Sequence, residues 1–285
     1  MKNIENIIVG RHFEDKDDLR VGLDTELKNI EHKNDGEMEN IQDLSSEIMN
    51  NTVLKDKSNI LLIHSPRKRA FQTSEIIKRN IKEKSGLNVR LLSDERFAEL
   101  NHGEIILPED YEPGKRVEFL SDSWKIFWEE TFDDKSFEFK NDYHFGDPVL
   151  LQNGNYKYPE LKDKFKTIGE SYLELTIRYY EALIDFFEKK NRINESKTEF
   201  VLIAHSATLS ILKQLNRVFK KGRFEIGKLM ELCWREYHLS KKEVDYKKST
   251  FGDFSIFDLS DLDGEKISEI FKEEVEFLRK KYEKR

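Results

Sequence analysis

The sequence has little of what several protein classes need. Cys233 is the only cysteine among 285 residues, which excludes an internal disulfide and a cysteine-rich metal site. No stretch reaches the roughly 18 uninterrupted apolar residues of a membrane span. The first residues, MKNIENIIVG, also lack the long apolar core of a signal peptide. We therefore expect a cytoplasmic protein with no membrane partner.

The sequence also has fewer basic residues than acidic ones. The 49 lysines and arginines stand against 56 acidic residues, and the formal net charge is −7. General binding of nucleic acid needs a basic face, so we expect no nucleic-acid partner. A local basic pocket for a small anion remains compatible with this balance.

Short apolar runs that alternate with helical patterns indicate an α/β domain. Apolar residues recur at helical spacing over 171–189 and 208–219. Ser65 before Pro66 predicts the start of another helix, which Gly86 ends. This order favours a mostly parallel sheet. The runs predicted to be buried strands are 6–9, 60–63, 89–92, 200–204 and 229–234.

Two segments depart from this alternation. Residues 104–168 hold two of the three tryptophans, most of the prolines and no clean period, so we interpret them as an insertion. This insertion is either a satellite cluster with its own small core or a cap that closes a site and selects the substrate.

Residues 265–285 form an amphipathic helical stripe, which packs on the body by default. A homodimer contact is the alternative, so the oligomeric state stays open.

Chemically capable side chains follow four of the predicted strands. Arg11 and His12 follow the first strand, Arg69 comes shortly after the second, Glu99 after the third, and His205 directly after the strand at 200–204. In open α/β sheets the binding crevice lies beyond the carboxyl ends of the strands. We therefore expect these five side chains to share one crevice.

Two arginines, two histidines and one carboxylate suit a phosphate group. Arginine offers a planar fork of donors that matches phosphate oxygens. A neutral imidazole can attack phosphorus, and a carboxylic acid can protonate the leaving oxygen and then deprotonate water. Taken singly, each residue has an ordinary structural explanation, and we expect His64 to be structural or to support a site residue.

The motifs that contain these residues resemble those of the histidine phosphatase superfamily, in its phosphoglycerate-mutase-like group. Their order and spacing agree over roughly residues 5–210 outside the insertion. Phe13, Phe97 and Ser206 replace a glycine, a leucine and a glycine of the family pattern. The matching stretches are IIVGRHF (7–13), SPRKRAFQT (65–73), FAELNHG (97–103), GES (169–171) with Arg178, and LIAHSAT (202–208).

The resemblance implies a fold and a set of roles. The fold is a single domain over 1–285, a three-layer αβα sandwich with a mostly parallel central sheet and an inserted cap. His12 would be the nucleophile that becomes phosphohistidine, and Glu99 the proton donor. Arg11, Arg69 and His205 would bind the phosphoryl oxygens, with His205 also taking part in catalysis. The implied activity is a phosphomonoesterase for a small phosphorylated substrate, with no metal and no other cofactor.

Two other functions remain open beside the phosphatase. Phe13 and Ser206, in place of glycine, favour a non-catalytic module that binds a phosphorylated ligand or a partner. A phosphoglycerate mutase is the third hypothesis. It ranks lower because the residues after His12, FEDKDDLRVGLD, lack the asparagine and tryptophan found in the family's mutases.

Overall fold

The computed structural model describes residues 6–11, 35–54, 57–106, 113–131, 142–192, 198–220, 225–234, 254–258 and 264–282. None of the described helices combines the length and the apolar character that crossing a bilayer demands. The strands are β1 (Asn6–Arg11), β2 (Asn59–His64), β3 (Asn88–Ser93), β4 (Glu104–Ile105), β5 (Phe165–Thr167), β6 (Thr198–Ala204) and β7 (Phe254–Asp258). The helices are α1 (Asp35–Leu54), α2 (Lys68–Ser85), α3 (Pro113–Thr131), α4 (Tyr172–Arg192), α5 (Ser206–Lys220), α6 (229–234) and α7 (Gly264–Tyr282).

The described residues form two compact units. The first comprises the residues up to Glu99 and those from Arg178 onwards, and the second comprises Leu100–Ile177. Strands β1, β2, β3, β6 and β7 belong to the first unit, and β4 and β5 to the second.

The first unit is built on a five-stranded sheet in the order β3-β2-β6-β1-β7. The pairs β3–β2, β2–β6 and β6–β1 are parallel, and β7 joins β1 in the antiparallel direction. Parallel neighbours need long crossover connections, which helices usually supply. With helices flanking the sheet, the fold is a three-layer αβα sandwich with a mostly parallel central sheet, which confirms the predicted fold class.

Side chains on the two faces of the sheet build two apolar layers. Successive strand residues point to opposite faces, so Val201 and Phe200 of β6 pack on different sides. Phe200 lies 5.1 Å from Phe186 of α4, and Phe187 stacks at 6.3 Å on Phe271 of α7. The layer against α1 and α2 contains Ile8, Leu44, Ile48, Ile60, Leu62, Ala70, Ile77, Ile81, Val89, Val201 and Ile203.

Helix α7 covers the C-terminal stripe predicted at 265–285. Most of its described apolar residues are buried within the chain, with Phe277 exposed, and the Phe271 ring lies 4.9 Å from that of Tyr180. This agrees with a helix packed on the body of the protein. The buried members of the stripe are Ile267, Ile270, Phe271, Val275 and Leu278.

The prediction of a strand at 229–234 is wrong, because these residues form helix α6. The carboxylate of Glu274 in α7 accepts hydrogen bonds from the backbone N–H groups of Gly227 and Met230, and this satisfies donors that the start of a short helix leaves free. The burial pattern is that of one helix face rather than of a strand. The buried residues are Leu229, Met230, Cys233 and Trp234.

The predicted start of α2 also needs correction. The helix begins at Lys68, with Arg67 in an extended conformation at the N-cap position, and not at Ser65 and Pro66. Its end is as predicted: Gly86 has a left-handed φ of 70° and donates its N–H to the carbonyl of Lys82.

The second unit contains α3, the short β4–β5 ribbon and a core of aromatic rings. Phe127 and Phe145 are fully buried, and their rings lie 5.4 Å apart. Trp124 and Tyr172 contact these rings at 5.0 Å and 4.9 Å. The predicted insertion, residues 104–168, falls within this unit, and its rings share the aromatic core with Tyr172. Its role as a cap over a site stays a prediction.

Candidate active site

The register of the sheet aligns the ends of the four parallel strands. Arg11 of β1 is opposite Ala204 of β6, and His64 of β2 is opposite both Ile203 and Ser93. The residues that follow these strands are therefore close together at one edge of the sheet. Arg11 is the last residue of β1. His12, Phe13 and the side chain of Arg11 lie outside the description, so their predicted places at this edge stay predictions.

Arg69, Glu99 and His205 meet at this edge of the first unit. The guanidinium of Arg69, in the first turn of α2, pairs through Nη2 with Glu99 Oε2. His205 Nδ1 lies 3.7 Å from the same oxygen. The Arg69 side chain is 8% exposed and that of His205 is 0% exposed, while Glu99 is 34% exposed. Of these three side chains, Glu99 is thus the most accessible to solvent. A carboxyl group needs such access if it is to exchange protons with water.

Ser65 contacts the second ring nitrogen of His205, Nε2. Its fully buried hydroxyl lies 2.8 Å from His205 Nε2 and accepts a hydrogen bond from the Arg67 backbone N–H at 3.3 Å. As a predicted helix cap, Ser65 was not expected to make this contact. The sequence shows only that Ser65 and His205 each follow a predicted strand, and the structure makes those two strands, β2 and β6, neighbours.

His64 has a structural position, as expected. Its Nδ1 lies 2.8 Å from the carbonyl oxygen of Ser65, and since a carbonyl only accepts, Nδ1 must carry the proton. The ring also lies 5.4 Å from that of Phe71. These contacts support the backbone at Ser65, directly before the residues that form the site.

Arg178 of α4 holds the chain segment that leads to Glu99. Its Nη1 donates to the carbonyl oxygens of Arg96 at 2.7 Å and of Ala98 at 3.0 Å. Its Nη2 donates to the carbonyl of Glu99 itself at 3.5 Å. The family pattern includes this arginine but gave it no role, whereas the structure makes it a support for the backbone of the carboxylate.

A second set of contacts holds the same segment. The hydroxyl of Tyr179 donates to the carbonyl of Ala98 at 3.1 Å and accepts a hydrogen bond from Thr208 of α5 at 2.8 Å. Arg96 bonds with Asp94 and with Asp185 of α4, both at 2.8 Å, and these carboxylates raise the pKa of its guanidinium further above its ordinary value. Two helices thus fix the position of Glu99. Tyr179 and Thr208 were missed because their importance depends on tertiary contacts alone.

The histidines of the second unit have local partners. His102 lies between Trp124 and Phe145, with ring distances of 4.9 Å to each. His144 Nε2 lies 3.1 Å from a carboxylate oxygen of Glu174. That contact raises the pKa of His144 and holds the pKa of Glu174 at about 2.

The side chains of Arg69, Glu99 and His205 are chemically able to bind an anion and to act as an acid or a base. Arg69 supplies the donors that bind oxyanions two oxygens at a time, and Glu99 and His205 supply groups that exchange protons. Within the described part of the chain, no group of three or more His, Cys, Asp or Glu side chains is arranged to hold a metal ion.

Neither a protein-family model nor a curated protein matches the chain. What the site does must therefore follow from the chemistry of its side chains and from its motifs.

Proposed function

We propose that the protein is a metal-independent phosphomonoesterase that acts on a small phosphorylated substrate through a phosphohistidine intermediate. The observation that carries this proposal is the meeting of Arg69, Glu99 and His205 beyond the carboxyl ends of the parallel strands, where β1 delivers Arg11. His12 is the next residue of the chain. We place the reaction in the cytoplasm, in keeping with the single cysteine.

In the first step, an imidazole nitrogen of His12 attacks the phosphorus and the bond to the leaving oxygen breaks. Glu99, as the carboxylic acid, transfers its proton to that oxygen. Arg11, Arg69 and the N–H of His205 bind the phosphoryl oxygens and stabilise the charge of the transition state. The alcohol leaves and the phosphoryl group stays on His12.

In the second step, a water molecule hydrolyses the phosphohistidine. Glu99, now a carboxylate, accepts a proton from the water, whose oxygen attacks phosphorus as the P–N bond breaks. Inorganic phosphate leaves and the imidazole of His12 is regenerated. The partial exposure of Glu99 supports this use of one carboxyl group in both steps, because alcohol and water must each reach it.

The ion pair between Arg69 and Glu99 describes the site before phosphate binds. A phosphoryl group that enters takes the guanidinium as its own partner in place of the carboxylate of Glu99. Substrate binding therefore separates the two side chains before the acid step.

The test is release of inorganic phosphate from an aryl phosphate and a panel of phosphorylated metabolites, with EDTA present. Wild type is compared with His12→Ala, and His32→Ala is the control because His32 lies outside the stretches that match the family pattern. We expect activity in wild type and in the control and none in His12→Ala. Activity that survives in His12→Ala, with the protein free of contaminating phosphatase, contradicts the proposal.

Two further measurements define the intermediate and the acid. A substrate with radioactive phosphate is expected to label wild type with an alkali-stable, acid-labile phosphoryl group that His12→Ala lacks. Glu99→Gln is expected to lower kcat by about 10²–10⁴-fold, the usual contribution of general acid–base catalysis. The exposed Glu95, in the same segment, gives the matched control Glu95→Gln. Tight binding of phosphate without turnover on any substrate supports the non-catalytic alternative instead.

A further inference from the structure

The hydroxyl of Ser65 is enclosed and has two neighbours that can share its hydrogen bonds. The residue is 0% exposed. Its oxygen accepts the Arg67 N–H at 3.3 Å, and His205 Nε2 lies 2.8 Å away. The ring of His205 is itself buried, so solvent does not compete for Nε2.

The hydrogen of this hydroxyl has one acceptor among these neighbours. An N–H cannot accept, so the hydroxyl hydrogen must point to Nε2 of His205, which then carries a lone pair and no proton. In the opposite arrangement Nε2–H donates to the hydroxyl, whose own hydrogen is left buried without an acceptor. Burying a hydroxyl hydrogen without an acceptor is unfavourable, so the first arrangement is the stable one.

We infer that Ser65 is a positioning residue that holds the neutral ring of His205 in the tautomer with its proton on Nδ1. Nδ1 is the nitrogen that faces Glu99, 3.7 Å from Oε2. The ring therefore presents a donor, and not a lone pair, to the side on which Arg69 and Glu99 meet. Sequence motifs carry no information on tautomers, and this assignment follows from the hydrogen-bond partners of Ser65.

The catalytic consequence rests on the phosphatase function proposed above. A donor on Nδ1 binds a phosphoryl oxygen, whereas a lone pair there repels it. Removing one donor from an oxyanion site costs roughly 10²–10³ in rate. A ring that is free to exchange tautomers keeps part of the interaction, so we expect Ser65→Ala to lower kcat/KM by about 10- to 100-fold.

The tautomer itself is measured without reference to activity. Long-range ¹H–¹⁵N spectra of the full-length, ¹⁵N-labelled protein distinguish a protonated ring nitrogen from an unprotonated one. The His205 signals are assigned by their loss in His205→Gln. We expect a protonated Nδ1 and an unprotonated Nε2 in wild type, and a shift of the proton towards Nε2 in Ser65→Ala.

Ser74→Ala is the matched control for this experiment. Ser74 is also a fully buried serine, and its hydroxyl donates to the carbonyl of Ala70 at 2.8 Å within α2. The substitution removes the same atom from a buried site, and we expect it to leave the His205 spectrum and kcat/KM unchanged.

The outcomes separate this inference from the proposed function. A wild-type spectrum with the proton on Nε2 overturns the inference, even if Ser65→Ala does not fold. So does a folded Ser65→Ala protein whose His205 keeps its proton on Nδ1. A tautomer that shifts as expected in a protein without phosphatase activity supports the positioning role of Ser65 and removes only the catalytic proposal.

Discussion

Replacing Arg178 by lysine tests whether the hydrogen bonds that fix the backbone before Glu99 are needed for this carboxyl group to act as the proposed acid. Lysine keeps the positive charge on α4 but loses the planar fork that reaches several carbonyl oxygens. In the proposed reaction the substrate contacts Glu99 and not Arg178. The substitution is therefore expected to act only through the position of the carboxylate.

The expected size of the effect follows from the two shortest hydrogen bonds of Arg178 to carbonyl oxygens. Arg178 donates to the carbonyl oxygens of Arg96 at 2.7 Å and of Ala98 at 3.0 Å. A hydrogen bond from a charged donor contributes about 1.5–3 kcal/mol, and the half-buried position favours the lower end. Losing one bond in Arg178→Lys corresponds to about a tenfold lower rate, and losing both in Arg178→Ala to about 100-fold, if the whole loss displaces Glu99.

The assay compares two leaving groups. An acid that protonates the leaving oxygen matters most when that oxygen is strongly basic. We therefore expect Arg178→Lys to lower kcat on an alkyl phosphate by about tenfold, with little change on an activated aryl phosphate and a nearly unchanged KM. Glu99→Gln is expected to show the same dependence on the leaving group, with larger losses.

Arg279→Lys is the matched control, because Arg279 is an exposed arginine of α7 whose guanidinium pairs with a carboxylate of α4, that of Glu181. Equal losses of kcat on both substrates would refute the reasoning, as would an Arg178→Lys enzyme with wild-type rates. Urea unfolding of each variant separates a displaced carboxylate from a general loss of stability.

Three further predictions concern stability. Lys57→Met removes the amino group that lies 2.7 Å from the carboxylate of Glu199, whose side chain is 0% exposed. We expect this substitution to lower the free energy of unfolding, measured in urea melts, by about 3–5 kcal/mol. The double variant with Glu199→Gln is expected to recover part of that loss. His144→Gln is expected to cost about 0.5–1 kcal/mol below pH 6.5. This cost fades as pH rises through the raised pKa of His144, and unfolding free energies measured from acid to alkaline pH check it; a cost independent of pH contradicts the assignment. Gly103→Ala places a Cβ against the backbone carbonyl oxygen of Thr167, at a φ of 73°, whereas Gly154→Ala, at a similar φ of 81°, has no atom within 4 Å of its Cβ. We therefore expect Gly103→Ala to lower the melting temperature far more than Gly154→Ala does. Equal effects of the two substitutions would contradict the packing argument.

Several strands could be predicted because a buried parallel strand leaves a plain apolar run. In β6 all seven residues are buried, and the sequence from 200 to 204 is correspondingly apolar. The same rule failed at 229–234, where an apolar run of similar length forms a helix; the exposed Glu231 between buried pairs is the helical signal that the rule ignores. Strand β7 was not predicted at all, and its five residues, FSIFD, form an edge of the sheet, where sequence demands are weaker.

For the candidate site, the sequence was enough to predict the charged and imidazole side chains, but not the residues that fix those side chains in position. Arg69, Glu99 and His205 could be placed together because each follows a strand of a parallel sheet. Ser65 was instead assigned to a helix cap. Its hydroxyl lies against an imidazole 140 residues further along the chain, and local patterns carry no record of such a contact.

The interior position of β1 has a consequence for how the protein is made. This strand is synthesised before the other described strands, yet it lies between β6 and β7 in the sheet, and Arg11 pairs with Ala204. Its described neighbours leave the ribosome only when residues 198–204 and then 254–258 have been translated. Until then an apolar strand with two open edges must wait, which is a hazard for aggregation. Chains that stop before residue 198 are therefore expected to precipitate.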